Sequence, residues 1–576
     1  MAQDVDLVIR GGTVFDGTGK PGFEADVAVK DGTIVEVGRV AAGGAGEIDA
    51  RGQIVTPGFV DLHTHYDGQA VWDSHLAPSS WHGVTTAIMG NCGVGFAPCK
   101  PADRERLIEL MEGVEDIPAP VMHEGLDWQW ESFADYLRAL ERRPRDIDVG
   151  ALLPHSAVRV FVMGERASFQ ENANQADIAE MSQIAAEAMK AGAFGFSTSR
   201  TISHKTLAGE YIPTLRAQEE ELTGIAMGIR RAGSGMLELV SDWNQPDAAT
   251  EFAMLRRVVE KSGLPLVFTL NQRHDRTEVW KELLALSDKA AADGLTMRPV
   301  FPPRMVGILL GLQGTQNPFS GCPSYRKIAH LPVPERVAAM RDPALRRQIL
   351  AEDPIKESTF PLIHRIGYDW MFPFEEPLNY EPAKENCLTQ IAAREGRATP
   401  EVAYDLLIAD EGRNFIMAAV VNYAHYSLAP VEEFLKHKNA IMGLGDGGAH
   451  VGFISDANFQ TFMLTHWGRD RAAGSFDLAE LVRRQTSDTA HAAGLHDRGV
   501  VAVGKKADLN VIDFDRLRLE RPYIVFDLPA GGRRLLQKAT GYTATIKSGE
   551  ITFRAGEATG ALPGKLLRGG PVLATA

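Results

Sequence analysis

The sequence predicts an α/β fold: a (β/α)8 TIM-type barrel carrying a small β-sandwich domain formed by its N- and C-terminal segments. Three observations predict it. The middle of the chain alternates short apolar β-type runs with helical patterns, the signature of a parallel sheet. Those runs number eight, which suits closure into a barrel. Both ends of the chain read instead as short strands broken by glycine turns.

At the N-terminal end, Asp6-Leu7-Val8-Ile9-Arg10 precedes Gly11-Gly12, and Ala25-Asp26-Val27-Ala28-Val29 alternates apolar and polar. Asp31-Gly32 then turns the chain into Thr33-Ile34-Val35-Glu36-Val37. The tail behaves alike, with strand-like runs at 507–512 and 544–553. Neither end holds enough apolar residues to close a core alone, so 1–57 and 490–576 are expected to form one domain. The barrel is expected over 58–489, with strands at 54–63, 84–90, 149–155, 193–199, 235–241, 265–270, 296–301 and 440–445. Helices lie between them. Ile178, Met181, Ile184 and Ala188 keep helical spacing, and Gly192 stands where a C-terminal cap belongs. Phe252, Leu255 and Val259 repeat the pattern before Gly263. The long insertion 302–439 is rich in Pro, Gly and aromatics, and is expected to serve as a lid, a binding segment or oligomer contacts.

Composition narrows the function classes. With 44% hydrophobic and 23% charged residues among 576, the chain has the proportions of a soluble globular protein. Its 60 Lys and Arg against 75 Asp and Glu leave a net charge of −15, which opposes nucleic acid and acidic membranes and favours a small-molecule substrate. Four cysteines are too few for a disulfide framework, and Met1-Ala2-Gln3-Asp4-Val5-Asp6 lacks the basic and apolar regions of a signal peptide. The expected address is cytoplasmic, and a barrel of this size is expected to form a homo-oligomer.

The strongest chemical signal is Pro57-Gly58-Phe59-Val60-Asp61-Leu62-His63-Thr64-His65. Alternate residues of a strand share a face, so His63 and His65 both point into the barrel mouth, where two imidazoles can grip one cation. Two structural histidines are the bland alternative. Cys92 follows the second strand in Gly90-Asn91-Cys92-Gly93, as a thiolate ligand or an inert buried thiol. Asp446 follows the last strand in Gly445-Asp446-Gly447, as a metal-site carboxylate or the cap of a turn. A closed barrel brings strands one, two and eight side by side, and the joint placement of these residues favours the metal reading.

These residues carry a family resemblance. Leu62-His63-Thr64-His65-Tyr66-Asp67, His82-Gly83-Val84-Thr85-Thr86, Gly90-Asn91-Cys92-Gly93-Val94, the run Met111 to Pro118 and Gly504-Lys505-Lys506-Ala507-Asp508-Leu509 resemble the amidohydrolase superfamily. The specific likeness is to its N-acyl-D-amino-acid deacylase (D-aminoacylase-like) branch. The resemblance implies a zinc-dependent barrel that hydrolyses an N-acyl bond, with His63, His65, Cys92 and Asp446 at the metal. The chain departs from the branch on strands five and six, where histidine ligands are expected. Strand five reads Met236-Leu237-Glu238-Leu239-Val240-Ser241-Asp242, and strand six has Leu270-Asn271-Gln272, with Gln272 where a lysine would hold a substrate carboxylate. One zinc ion, or two, or another divalent transition metal, is therefore expected, with Glu238, Asp242, His155, His204, His274 and His450 as replacement ligands or as pocket and structural residues.

The resulting expectation is hydrolysis of the linear amide of a small N-acylated compound, with Asp446 taking and returning the water's proton. His155, Arg159, Arg304, Gln272 and His450 are the candidate substrate contacts. Two alternatives stand beside it. One is a cyclic amidase of the hydantoinase or dihydroorotase kind, against which stands the lack of a lysine on strand four. The other is an altered barrel that binds a ligand without catalysis.

Overall fold

The computed structural model of the chain describes residues 5–41, 43–233, 235–354 and 366–569. The N-terminal run Met1 to Asp6 is thus described only from Val5, and the 302–439 insertion without 355–365. Eight parallel strands form one sheet in chain order: β1 (Phe59–Thr64), β2 (Val84–Met89), β3 (Asp148–Pro154), β4 (Gly195–Arg200), β5 (Met236–Ser241), β6 (Leu266–Thr269), β7 (Met297–Phe301) and β8 (Ile441–Met442). The ends of the sheet meet. A bridge joins Thr64 to Gly447, the His65 amide donates to the Gly447 carbonyl at 2.7 Å, and the Asp446 amide donates to the His63 carbonyl at 3.1 Å. One apolar cluster draws on seven of the eight strands, with Leu62, Ile88, Leu152, Met236, Val267, Val300 and Ile441 joined by Phe194, the residue before β4.

Helices pack outside in the expected places. Gln175–Ala191 begins with a capping box at Asn174 and ends at Gly192, which takes the left-handed backbone at φ +107°. Ala248–Ser262 buries Phe252, Leu255 and Val259 and ends at Gly263.

Two expected strands are corrected. The run 54–63 is two strands, because Gly58 turns the chain out of one sheet and into the other. Ile54–Pro57 pairs with Leu509–Ile512, the Gly58 amide donates to the Asp508 carbonyl at 2.7 Å, and β1 starts at Phe59. A side chain at Gly58 would meet Thr85 Oγ1 at 2.3 Å, so the pivot has no room for one. Strand 440–445 shortens to two residues, since Leu444 and Asp446 adopt φ of +62° and +48° and leave the extended region.

Residues of both chain ends share a nine-stranded sheet. Val5–Val14 bonds in parallel first to Gly44–Asp49 and then to Ile54–Pro57, and its pairing with Phe23–Lys30 shifts register between Ile9 and Gly12. Leu7, Ile9, Val27, Val55, Leu509, Val511 and Ile546 bury the core of this sheet. Where it abuts the barrel, four buried charges interlock. Lys547 Nζ lies 2.9 Å from Asp148 Oδ2 and 2.8 Å from Asp508 Oδ1, and Arg498 Nη1 lies 2.6 Å from Asp148 Oδ2 and 3.5 Å from Asp508 Oδ2.

Within 302–439, an antiparallel sheet of Val306–Gly311, Phe415–Val421 and Met371–Phe374 carries its own apolar core, including Leu310, Met340, Tyr404 and Ile416. It is tied to the ends of β6 and β7: the Asn422 amide donates to the Gln272 carbonyl at 2.8 Å, and Asn422 Nδ2 to the Arg304 carbonyl at 3.3 Å. No described helix is long and apolar enough to cross a membrane.

Candidate metal centre

The C-terminal ends of the strands converge on one buried cluster. His63 and His65, two residues apart at the end of β1, hold their rings 5.5 Å apart between centroids. Their Nε2 atoms face a shared oxygen, Asp446 Oδ1, at 3.4 Å from His63 and 3.8 Å from His65. Cys92 Sγ lies 3.3 Å from His63 Nε2. Ligand atoms of His63, His65 and Cys92 all fall within 4.8 Å of one another.

Local sequence explains how Cys92 arrives there. After β2 the chain turns sharply through Gly90 and Gly93, at φ +83° and +69°. A Cβ on Gly90 would meet the Leu152 carbonyl oxygen at 2.5 Å, so only glycine allows the turn to press against β3. Cys92 itself is left-handed at φ +55°, an unfavourable conformation for a side-chain-bearing residue. Hydrogen bonds hold it there. The Cys92 amide donates to Glu238 Oε2 at 3.0 Å, the Gly93 amide to Ser197 Oγ at 3.1 Å, and Asn91 Nδ2 to the Thr64 carbonyl at 3.2 Å.

Two further carboxylates complete the cluster. Glu238, on the same inward face of β5 as Met236, places Oε1 3.8 Å from His63 Nδ1. Glu115, the last residue of helix Arg104–Glu115, places Oε1 3.5 Å from His65 Nδ1. Glu115 Oε2 lies 3.7 Å from His450 Nε2, and the His450 amide donates to the Glu115 carbonyl. Asp67 accepts from the Gly90 amide at 3.0 Å.

The charges of this cluster are out of balance. Burial, then His204 and His450, push the His63 imidazolium down to about 3, and burial, then His63, His450 and His204, lowers His65 well below the ordinary range. Both rings are therefore neutral, and their contacts with carboxylates are not ion pairs. Burial drives Glu238 up to about 8 and Asp67 up to about 7. Burial, then neighbouring acids, raises Glu115 and Asp446 well above the carboxylate range. Asp446 Oδ1, Glu115 Oε1, Glu238 Oε1 and His65 Nδ1 are buried without a hydrogen-bond partner. Neutral imidazoles, a thiol and underpaired acids around one space fit a divalent cation, which would supply the missing positive charge.

The structure brings together His63, His65, Cys92, Asp446 and His450 of the residues singled out from the sequence. The four remaining candidate substrate contacts, His155, Arg159, Arg304 and Gln272, bond to other partners. His155 Nε2 bonds Glu221 Oε1 at 2.8 Å and its Nδ1 bonds Thr198 Oγ1 at 2.8 Å, while Arg159 Nη1 donates to the same Glu221. Arg304 pairs with Asp456 at 2.8 Å and lies over Tyr380 and Phe459, 4.2 and 4.8 Å from the ring centroids. Gln272 Oε1 accepts from the Ala424 amide at 3.1 Å. Each of these four is buried among partners of its own, and none contacts the cluster through these bonds. Of the replacement ligands considered, Glu238 faces His63, Asp242 pairs with Arg273, and His274 Nε2 bonds the Ala419 carbonyl at 3.0 Å. Sequence reasoning passed over Glu115, although a carboxylate at a helix C-terminus, where the dipole disfavours negative charge, is a signal.

Comparison with known proteins adds an independent observation. A model of the amidohydrolase family matches residues 46–553. D-aminoacylase of Alcaligenes xylosoxydans xylosoxydans is 26% identical over 518 residues, covering 89% of each chain. An N-acyl-D-aspartate deacylase of the same organism is 34% identical over 231 residues, 40% of this chain and 42% of that one. The solved structure of an N-acyl-D-glutamate deacylase from Bordetella bronchiseptica, complexed with zinc and a phosphonate inhibitor, shares the fold at a TM-score of 0.64. It is 22% identical, and the match covers 98% of this chain and 100% of that one.

Proposed function

Because the chain belongs to the amidohydrolase family, we propose that it hydrolyses the linear amide bond of a small N-acylated compound, an N-acyl-D-amino acid or a related amide. The reading is carried by one observation: His63, His65, Cys92 and Asp446, from three strand ends, converge on one space. His63 and His65 would hold the metal with Asp446 and Cys92. Nitrogen, sulfur and oxygen donors together suit zinc better than calcium or magnesium, and with no histidine on β5 or β6 we propose a single ion. When bound, such an ion polarises a carbonyl and acidifies water.

The protein's own groups supply the rest. Asp446 Oδ1 is positioned between the two imidazoles to take a proton from water and return it to the leaving nitrogen. With their Nε2 atoms turned to the shared space, the two imidazoles would be engaged as ligands, which leaves that proton to the carboxylate. The Gly90–Gly93 turn fixes Cys92 and excludes water from beneath the cluster, where Cys92 and Asn91 are buried.

Metal analysis of protein washed free of loose ions, with turnover measured on open-chain N-acyl amino acids and on cyclic amides, tests the reading. We expect stoichiometric zinc, turnover of the open-chain amides, and loss of both metal and turnover in His63→Ala. A metal-free wild type, or a His63→Ala enzyme that keeps its turnover, refutes it.

A further inference from the structure

Two buried carboxylates next to the cluster have no place among the ligands. We propose that Glu115 and Glu238 are positioning residues, which hold the His65 and His63 rings with Nδ1 turned outward and Nε2 presented to the ion. The inference rests on the metal-site reading above and concerns how this chain aims its two imidazoles.

The geometry repeats itself on both rings. On His63, Nε2 faces Asp446 Oδ1 at 3.4 Å and Cys92 Sγ at 3.3 Å, while Nδ1 faces Glu238 Oε1 at 3.8 Å. On His65, Nε2 faces Asp446 Oδ1 at 3.8 Å, while Nδ1 faces Glu115 Oε1 at 3.5 Å. The two carboxylates come from unrelated elements, a barrel strand and a helix end, yet stand in the same relation to their rings. Each lies across its imidazole from Asp446, which makes it a backing group and not a ligand.

The orphaned atoms point the same way. Glu115 Oε1, Glu238 Oε1 and His65 Nδ1 are buried and unpartnered, and a buried carboxylate without a partner is costly. The gaps of 3.5 and 3.8 Å are just beyond hydrogen-bond length. A small movement of either ring lets Nδ1–H donate to its carboxylate, which fixes the tautomer and strengthens Nε2 as a donor to metal. Glu238 does this while its second oxygen accepts from the Cys92 amide at 3.0 Å, so one side chain sets both His63 and the Cys92 turn.

Metal-stripped wild type, Glu115→Gln, Glu238→Gln and, as a control, Glu221→Gln are titrated with Zn2+ against a chelator and with Co2+ by visible absorption. The thermal midpoint of each metal-free protein is recorded alongside. We expect each site variant to bind zinc about 10–100-fold more weakly. Its Co2+ spectrum should keep the wild-type band pattern, and its metal-free midpoint should stay level or rise, because a neutral amide relieves an unpaired buried acid. Glu221→Gln, which disturbs the bonds to His155 and Arg159 and touches none of the proposed ligands, should lower the midpoint and leave zinc affinity unchanged. Three results overturn the proposal: wild-type zinc affinity in both variants, a lowered metal-free midpoint as the only change, or a Co2+ spectrum that reports a lost oxygen ligand. A wild type that binds no metal removes the metal-site reading as well, and so separates the two failures.

Discussion

Replacing Lys547 by methionine tests how the terminal sheet is fixed to the barrel. Lys547 is fully buried between Asp148 at the start of β3 and Asp508 of the outer sheet, at 2.9 and 2.8 Å, with Arg498 across the same two acids. At an effective dielectric constant of about 20, each Lys547 contact is worth roughly 6 kcal/mol before desolvation. Most of that only offsets the loss of hydration, but removing one member leaves an unbalanced buried acid, at a cost of about 3–5 kcal/mol. Methionine keeps the stem's volume, so packing contributes little to the difference. The assay is urea unfolding of Lys547→Met, Asp508→Asn and the double variant, read on the first transition because a chain of two packed units need not unfold in one step. The double variant restores neutrality and should be less destabilised than the sum of the single ones. Acid should act in the same direction. Burial works to raise the Asp148 carboxyl, but Lys547 and Arg498 outweigh it and hold it below the ordinary 3.8. Its stabilising share is therefore full above that value and is lost as pH falls through the lowered one. A Lys547→Met penalty below about 1 kcal/mol, well under the range for a broken buried pair, refutes this reasoning. So does strict additivity in the double variant.

Three other outcomes follow from the structure. Gly90→Ala forces a left-handed alanine against the Leu152 carbonyl; it should cost about 1–3 kcal/mol or more and weaken metal binding, measured by thermal unfolding and chelator competition. Arg304→Met should lower stability while leaving KM unchanged in whatever enzyme folds, because Arg304 pairs with Asp456 and lies over three rings; a raised KM with intact stability would support Arg304 as a substrate contact. Zinc at a hundred times its Kd should stabilise the stripped protein by about 2.7 kcal/mol, and a midpoint insensitive to zinc contradicts a folded-state site.

The barrel was legible because its signals are local. Period-two alternation set His63 and His65 on one face, and Cys92 and Asp446 stood directly after apolar strands. What the sequence hid lies in long-range partnership. His155 and Arg159 follow a strand as substrate-binding residues would, but Glu221, some sixty positions later, claims both. Arg304 opens the insertion, and only the fold shows that Asp456 awaits it. Glu115 carries a local signal in its place at a helix C-terminus, but its approach to His65, fifty positions earlier, is a long-range contact that only the fold shows. The break at Gly58 did carry a local mark, the turn dipeptide Pro57-Gly58, but the strand-like residues on either side of it read as one run.

The bonds that shut the barrel run through His63, His65, Asp446 and Gly447. An ion gripped by the side chains of those residues would thus act as a clasp on the cylinder's last joint, riveting β1 to the loop after β8 across nearly four hundred residues of chain. Loading should accordingly slow amide exchange along that joint first, and emptying it should let the cylinder breathe there before anywhere else.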